Sequence, residues 1–227
     1  MLFIHATKDY SAESVASIQK VSELLDVGFE KIEMSSLQDL KSLSGKFDFI
    51  FLATHACPSS FGESSGSPSF RWADFSLMLC ETKLLHENGK LILGCCNGGL
   101  KHIALVIFQT CPQIVEVCGP RCETYVPEVS LGVHTFLYNS LFKGETAEVA
   151  ASRASTAIGA SFPIFNRYDL DADLAIIRNS LYGSGFYEGL SDFLTQLQLD
   201  KMKSDGTTEG EQLDQPDDLT ASNHGLS

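Results

Sequence analysis

The 227-residue chain predicts an α/β fold with a mostly parallel central sheet and helices on both faces. Three observations carry that expectation. Apolar runs of strand length alternate with stretches whose apolar residues recur at helical spacing, which is the sequence form of a parallel sheet covered on both sides. The two strongest runs, Phe49-Ile50-Phe51-Leu52 and Leu91-Ile92-Leu93, are apolar at successive positions, as strands buried on both faces are. The length suits one domain with a full core and is too short for two large ones; residues 1–200 are read as that domain and 201–227 as an acidic tail.

Taken in order, Met1 to His5 reads as the first strand, and Ser11 as the N-cap of a helix to Leu25 with Val15, Ile18, Val21 and Leu25 on one stripe. Phe29 to Met34 alternates like a half-buried strand, and Leu37 to Leu43 reads as a short helix. Strand Phe47 to Thr54 leads into a Ser/Gly/Pro-rich loop, Ala56 to Ser69, then a helix near Arg71 to Glu81 and strand Lys90 to Cys95. A helix from Gly99 to Phe108 is expected to follow directly, and strand Gln113 to Cys118 after it. The next helix, Pro127 to Lys143, has a Pro start and a Gly144 stop. Thr146 to Ala160 forms an Ala-rich helix, and Leu174, Ile177 and Leu181 are helically spaced further on, with Gly183-Ser184-Gly185 as a helix stop.

Two of the strand runs end on chemically active residues, Leu52-Ala53-Thr54-His55 and Gly94-Cys95-Cys96-Asn97-Gly98. Forty-one residues separate His55 from Cys96, enough for a loop, a crossover helix and the return of a parallel strand. A thiol nucleophile and a base would thereby meet at one sheet edge. Cys95 precedes the nucleophile position and should face the core, since adjacent strand residues point to opposite sides.

These blocks resemble the caspase-like cysteine peptidases, with a small residue before the Cys, a Gly shortly after it and a His about 50 residues upstream. Ala53-Thr54-His55 and the Phe136 to Gly144 helix end are most similar to the CHAT-domain type. The resemblance spans roughly residues 47 to 160. It implies a three-layer caspase-like sandwich, and a cysteine endopeptidase in which His55 moves the proton and Cys96 forms a thioester. It further implies an oxyanion hole built from the backbone N–H groups of Cys96 and Ala56. The family has Gly after the His, so Ala56 serves only where no positive φ is required. Resemblance also places the segment after strand Gln113 to Cys118 beside the pocket for the residue preceding the cut, where Glu123 and Glu128 are the candidates for recognising a basic side chain. Each carboxylate also suits a loop or first helical turn. An inactive caspase-like scaffold that works by binding protein is the alternative, and a flavodoxin-like binding domain is a third.

Cys96, with a helix starting within about three residues, is expected to lie at the positive end of a macrodipole, and Gly98 and Gly99 to leave its backbone uncrowded. His5, His86, His102 and His134 lack comparable context. The patterns His55-x-Cys57 and Cys118-x-x-x-Cys122 do not match the tighter pairing of zinc sites. Asn97-Gly98-Gly99 lacks the ending of a phosphate loop. No metal or cofactor is expected.

A net charge of −13, from 16 basic and 29 acidic residues, disfavours nucleic acid and anionic membrane and favours a basic protein or peptide substrate. Lys203 to Ser227 carries one Lys against six carboxylates, a net −5, which leaves −8 on the rest. This tail holds too little apolar surface to fold and is expected to be disordered, as a solubilising end or an arm for a regulatory partner. Seven cysteines, an odd number mostly inside apolar runs, read as reduced thiols. Met1 to His5 is too short and uncharged for a signal peptide, and no run reaches the length of a membrane span, so the cytoplasm is the expected compartment.

Overall fold

A computed structural model describes residues 1–7 and 12–182. The expected N-cap Ser11, the Gly183-Ser184-Gly185 stop and the acidic tail lie outside the described residues. Met1–Ile176 forms one compact unit, and a second begins at Ile177. Of the second unit only the end of a helix is described.

The sheet has six strands: β1 (Leu2–His5), β2 (Glu30–Glu33), β3 (Phe47–Ala53), β7 (Leu85–Gly94), β8 (Ile114–Cys118) and β9 (Ile164–Asn166), in the order β2-β1-β3-β7-β8-β9. Every neighbouring pair is parallel except β8 with β9. A parallel neighbour can be reached only by a crossover, and helices supply those crossovers. Helix α1 (Ala12–Leu24) joins β1 to β2, α2 (Trp72–Thr82) lies between β3 and β7, and α3 (Lys101–Thr110) joins β7 to β8. Helices α4 (Val126–Leu137) and α5 (Ala147–Ile158) follow β8, and α6 (Asp171–Tyr182) follows β9.

Strand alternation divides the core into two layers. Leu2, Ile4, Ile50, Leu52, Leu91 and Leu93 point to one face, where Trp72, Phe75, Ile103 and Phe108 of α2 and α3 cover them. Phe3, Phe49, Phe51 and Ile92 point to the other, beneath Val15 and Ile18 of α1, Val133 and Phe136 of α4, and Ala150 and Ala154 of α5. The central strands are therefore apolar at successive positions because both neighbours of each residue are buried. The result is a mostly parallel α/β sheet with helices on both faces.

Several expectations need correction. The half-buried strand expected over Phe29 to Met34 is present but shorter, Glu30–Glu33 at a sheet edge, with Ile32 partly covered and Glu30, Lys31 and Glu33 exposed. The helix expected over Leu37 to Leu43 is a 3-10 turn, Leu37–Ser42. The Ser/Gly/Pro-rich stretch holds a small antiparallel sheet of β4 (His55–Ala56), β5 (Ser60–Gly62) and β6 (Ser69–Arg71). Phe61 pins this sheet to the core, with ring centroids 4.7 Å from Trp72, 5.1 Å from Phe75 and 5.5 Å from Phe70. Helix α4 stops at Leu137 and gives way to a π turn, Tyr138–Phe142, ahead of Gly144 with φ +66. No helix among the described residues is long and apolar enough to cross a membrane.

Candidate active site

The ladder between β3 and β7 sets Ala53 opposite Gly94, and the Thr54 N–H continues it to the Gly94 carbonyl at 3.4 Å. His55 and Cys96 each lie two residues beyond that last matched pair, on strands about 4.8 Å apart. Both line one small cleft of about 30 Å³. Thr54 joins them from the end of β3, Gly94 and Cys95 from the end of β7, and Thr124, Val126 and Val129 from the entry to α4, with Thr7 beyond the end of β1. Thus the structure brings together the two side chains that the sequence singled out.

Cys95 and Cys96 divide as alternation requires. Cys95 is 2 % exposed within the core layer beneath α2 and α3, and burial pushes its thiol well above the ordinary range. Cys96 is half-buried, and its Sγ is bracketed by the backbone of Thr124, 3.5 Å from the carbonyl oxygen and 3.5 Å from the N–H. All seven cysteines are free.

The helix expected directly after Cys96 begins only at Lys101, with Leu100 at its cap. Cys96 therefore sits in a tight turn, not in the first turn of a helix, and the macrodipole argument does not apply to it. Asn97 adopts φ +61, and the Gly98 N–H closes on the Cys95 carbonyl at 3.2 Å. The two glycines are crowded, contrary to expectation. A Cβ on Gly98 would come within 2.7 Å of Leu93 Cβ, and one on Gly99 within 2.2 Å of the Gly119 carbonyl oxygen. Close approach of two backbones, not an open approach for substrate, is what these positions require. The turn is tied to the chain after β8 by the Asn97 N–H to the Cys122 carbonyl at 3.1 Å and the Gly99 N–H to the Pro120 carbonyl at 2.8 Å.

The backbone donors expected at an oxyanion hole can be followed bond by bond. The Cys96 N–H takes no backbone partner among the described residues. The Cys57 N–H donates to the Ser60 carbonyl at 2.8 Å. This sets the phase of the β4–β5 ladder, so the next pair, Ala56 opposite Phe61, is a non-hydrogen-bonded one with the Ala56 N–H turned away from β5. Ala56 is not among the residues with positive φ, so an Ala at this position brings no backbone strain.

Neither acidic candidate lines the cleft. Glu123 is exposed, and Glu128 caps α4, where Oε2 accepts from the Tyr125 N–H at 2.9 Å. A carboxylate nearer the cleft is Glu63, whose Oε2 accepts from Thr7 Oγ1 at 3.2 Å. Among the described residues, no group of three or more His, Cys, Asp or Glu side chains could hold a metal ion. His102 Nε2 lies 3.0 Å from the Pro58 carbonyl, and His134 is buried enough to depress its pKa.

Sequence reasoning passed over two features. Cys57, exposed in the β4–β5 hairpin, has its thiol lowered to about 7 by hydrogen bonds from Ser59 and Ser60, with Sγ 3.3 Å from each hydroxyl. Thr124, a residue that lines the cleft, has its Oγ1 buried and without a hydrogen-bond partner among the described residues. The clustered Ser residues were a readable signal for the first; nothing in the sequence marks the second.

No family model matches the chain, and no curated protein matches it.

Proposed function

We propose that the protein is a caspase-like cysteine endopeptidase that acts through Cys96 and His55. The observation that carries this reading is the arrival of both side chains, from matched positions on adjacent parallel strands, in one cleft. In the proposed reaction His55 accepts the Cys96 proton and the thiolate attacks the peptide carbonyl. The oxyanion that forms is held by the backbone N–H groups of Cys96 and Ala56. His55 then protonates the departing amine, leaving a thioester on Sγ. Water, deprotonated by His55, hydrolyses the thioester and returns the proton to sulfur. The chain's own residues thus account for every proton moved. Cleavage after basic residues, the expectation attached to Glu123 and Glu128, is not part of the proposal, because neither side chain reaches the cleft.

A second reading, an inactive scaffold of the same kind that binds a regulatory partner, is favoured by the small volume of the cleft, about 30 Å³. The two separate on labelling by peptidyl electrophiles, compared among the wild type, Cys96→Ala and Cys95→Ala. Labelling lost only in Cys96→Ala supports the peptidase. Equal labelling in all three, or none in any while iodoacetamide still reaches Cys96, removes it and leaves the scaffold.

A further inference from the structure

Among the described residues nine large apolar side chains are exposed, and five of them, Tyr125, Leu131, Tyr138, Leu141 and Phe142, belong to α4, its cap and the π turn that ends it. Leu131, Thr135, Tyr138 and Phe142 follow one another at intervals of four, three and four, which sets them on one stripe of the helix. The other side of α4 faces the core through Val129, Val133, Phe136 and Leu137. Leu131 is 47 % exposed and Phe142 64 %, and the Tyr138 and Phe142 rings stack with centroids 5.2 Å apart. Apolar side chains grouped in this way mark a contact surface, whereas single ones scattered over a surface do not.

The two ends of the stripe carry opposite charges. Glu128 lies in the first turn of α4, and Lys143 follows Phe142, with Nζ 5.6 Å from the centre of the Tyr138 ring and 5.7 Å from that of Phe142. No carboxylate among the described residues pairs with Lys143. Glu128 takes one bond from the Tyr125 N–H, fewer than a carboxylate can accept. A partner that covers this surface needs a cation opposite Glu128 and an anion opposite Lys143. The same helix run in the opposite direction supplies both, since Glu128 and Lys143 stand seven and eight residues from Thr135. A two-fold axis near Thr135 sets Glu128 of each copy level with Lys143 of the other, and Leu131 level with the turn that holds Tyr138 and Leu141. Thr135, half-buried at the crossing, has no long side chain to hold the two helices apart.

We propose that the protein forms a two-fold homodimer through the outer stripe of α4 and its π turn, with the two helices antiparallel and Glu128 of each copy paired with Lys143 of the other. The proposal is independent of the peptidase reading. The contact is between identical patches, so it closes at two copies and leaves no surface for a third. A net charge of −13 repels the copies at long range, and one helical stripe is small beside a permanent interface. Association therefore falls in the micromolar range.

The test is sedimentation equilibrium of the full chain from about 1 to 200 µM, with Leu131→Ser, Phe142→Ser, Lys143→Glu and the double variant Glu128→Lys with Lys143→Glu measured beside the wild type. The wild-type mass should climb with concentration from 24.7 kDa towards twice that value. Leu131→Ser and Phe142→Ser should each raise Kd by about tenfold or more. Lys143→Glu, which sets two carboxylates against each other, should raise it by about fivefold, and the double variant should return it to within about twofold of the wild type. A wild type that stays monomeric over the whole range overturns the proposal and gives the stripe to a different protein. A dimer indifferent to Leu131→Ser and Phe142→Ser overturns it too, and a double variant as weak as Lys143→Glu overturns the antiparallel pairing. The three single variants change exposed side chains, and circular dichroism checks that they keep the fold. They decide the matter even where the double variant, which alters the cap of α4, does not fold.

Discussion

Cys57 follows β4 and Cys96 follows β7, and they differ in what surrounds the sulfur. Cys57 is exposed in a hairpin and has two hydroxyls and a lowered pKa of about 7. Cys96 is half-buried at a strand end, shares a cleft with His55 and is held by the backbone of Thr124. The first is equipped to ionise, and the second is the one proposed to receive a substrate. Catalysis needs a nucleophile placed against an acyl group with a proton carrier and an oxyanion site at hand, and a thiol that merely titrates near neutrality lacks those surroundings. A small alkylating agent should therefore modify Cys57 as well as Cys96, and a peptidyl electrophile Cys96 alone.

The largest effect that would sharpen this contrast is expected at the turn beneath Cys96. Gly99→Ala drives a Cβ to 2.2 Å from the Gly119 carbonyl oxygen, backbone that cannot swing aside. It should destabilise the protein by about 3 kcal/mol in urea unfolding. In molecules that remain folded, peptide labelling of Cys96 should fall while alkylation of Cys57 persists. Equal loss at both thiols would mean that they share one structural support.

A smaller effect is expected from the groups that lower the Cys57 pKa. A lowered thiol pKa means that thiolate appears as pH rises through about 7, not through the ordinary 9, so iodoacetamide alkylation of Cys57 should climb through neutral pH. Replacing Ser59 and Ser60 by Ala should move that midpoint upward and slow alkylation at pH 7 by about tenfold. Peptide labelling of Cys96 should not change. A matching shift at Cys96 would merge the two sites into one.

Glu128 provides the smallest effect. Glu128→Gln weakens the cap on α4 and should lower stability by about 1 kcal/mol. Because Thr124 immediately precedes that capped end, a modest slowing at Cys96 with none at Cys57 is expected. A change in preference between Arg and Ala probes would instead restore Glu128 as a substrate contact.

What could be read in the sequence follows the same division. The buried strands announced themselves, since Phe49 to Leu52 and Leu91 to Leu93 must satisfy two apolar layers at once. The strand ends then followed, and with them the meeting of His55 and Cys96. Short elements did not show: β4, β5, β6 and β9 have two or three residues each, too few for a period to repeat. Gly98-Gly99 was misread because glycine marks a crowded contact as readily as a helix start, and only Gly119 and Leu93 reveal which. Glu128 had two plausible uses, and one hydrogen bond to Tyr125 decides between them.

His55→Ala tests directly whether His55 acts on Cys96. Labelling of Cys96 by a peptidyl electrophile, followed by intact-protein mass spectrometry, should slow by about a hundredfold or more, while iodoacetamide modification of Cys57 stays as in the wild type. Unchanged peptide labelling in His55→Ala would contradict the claim, leaving imidazole and thiol as neighbours without a shared reaction.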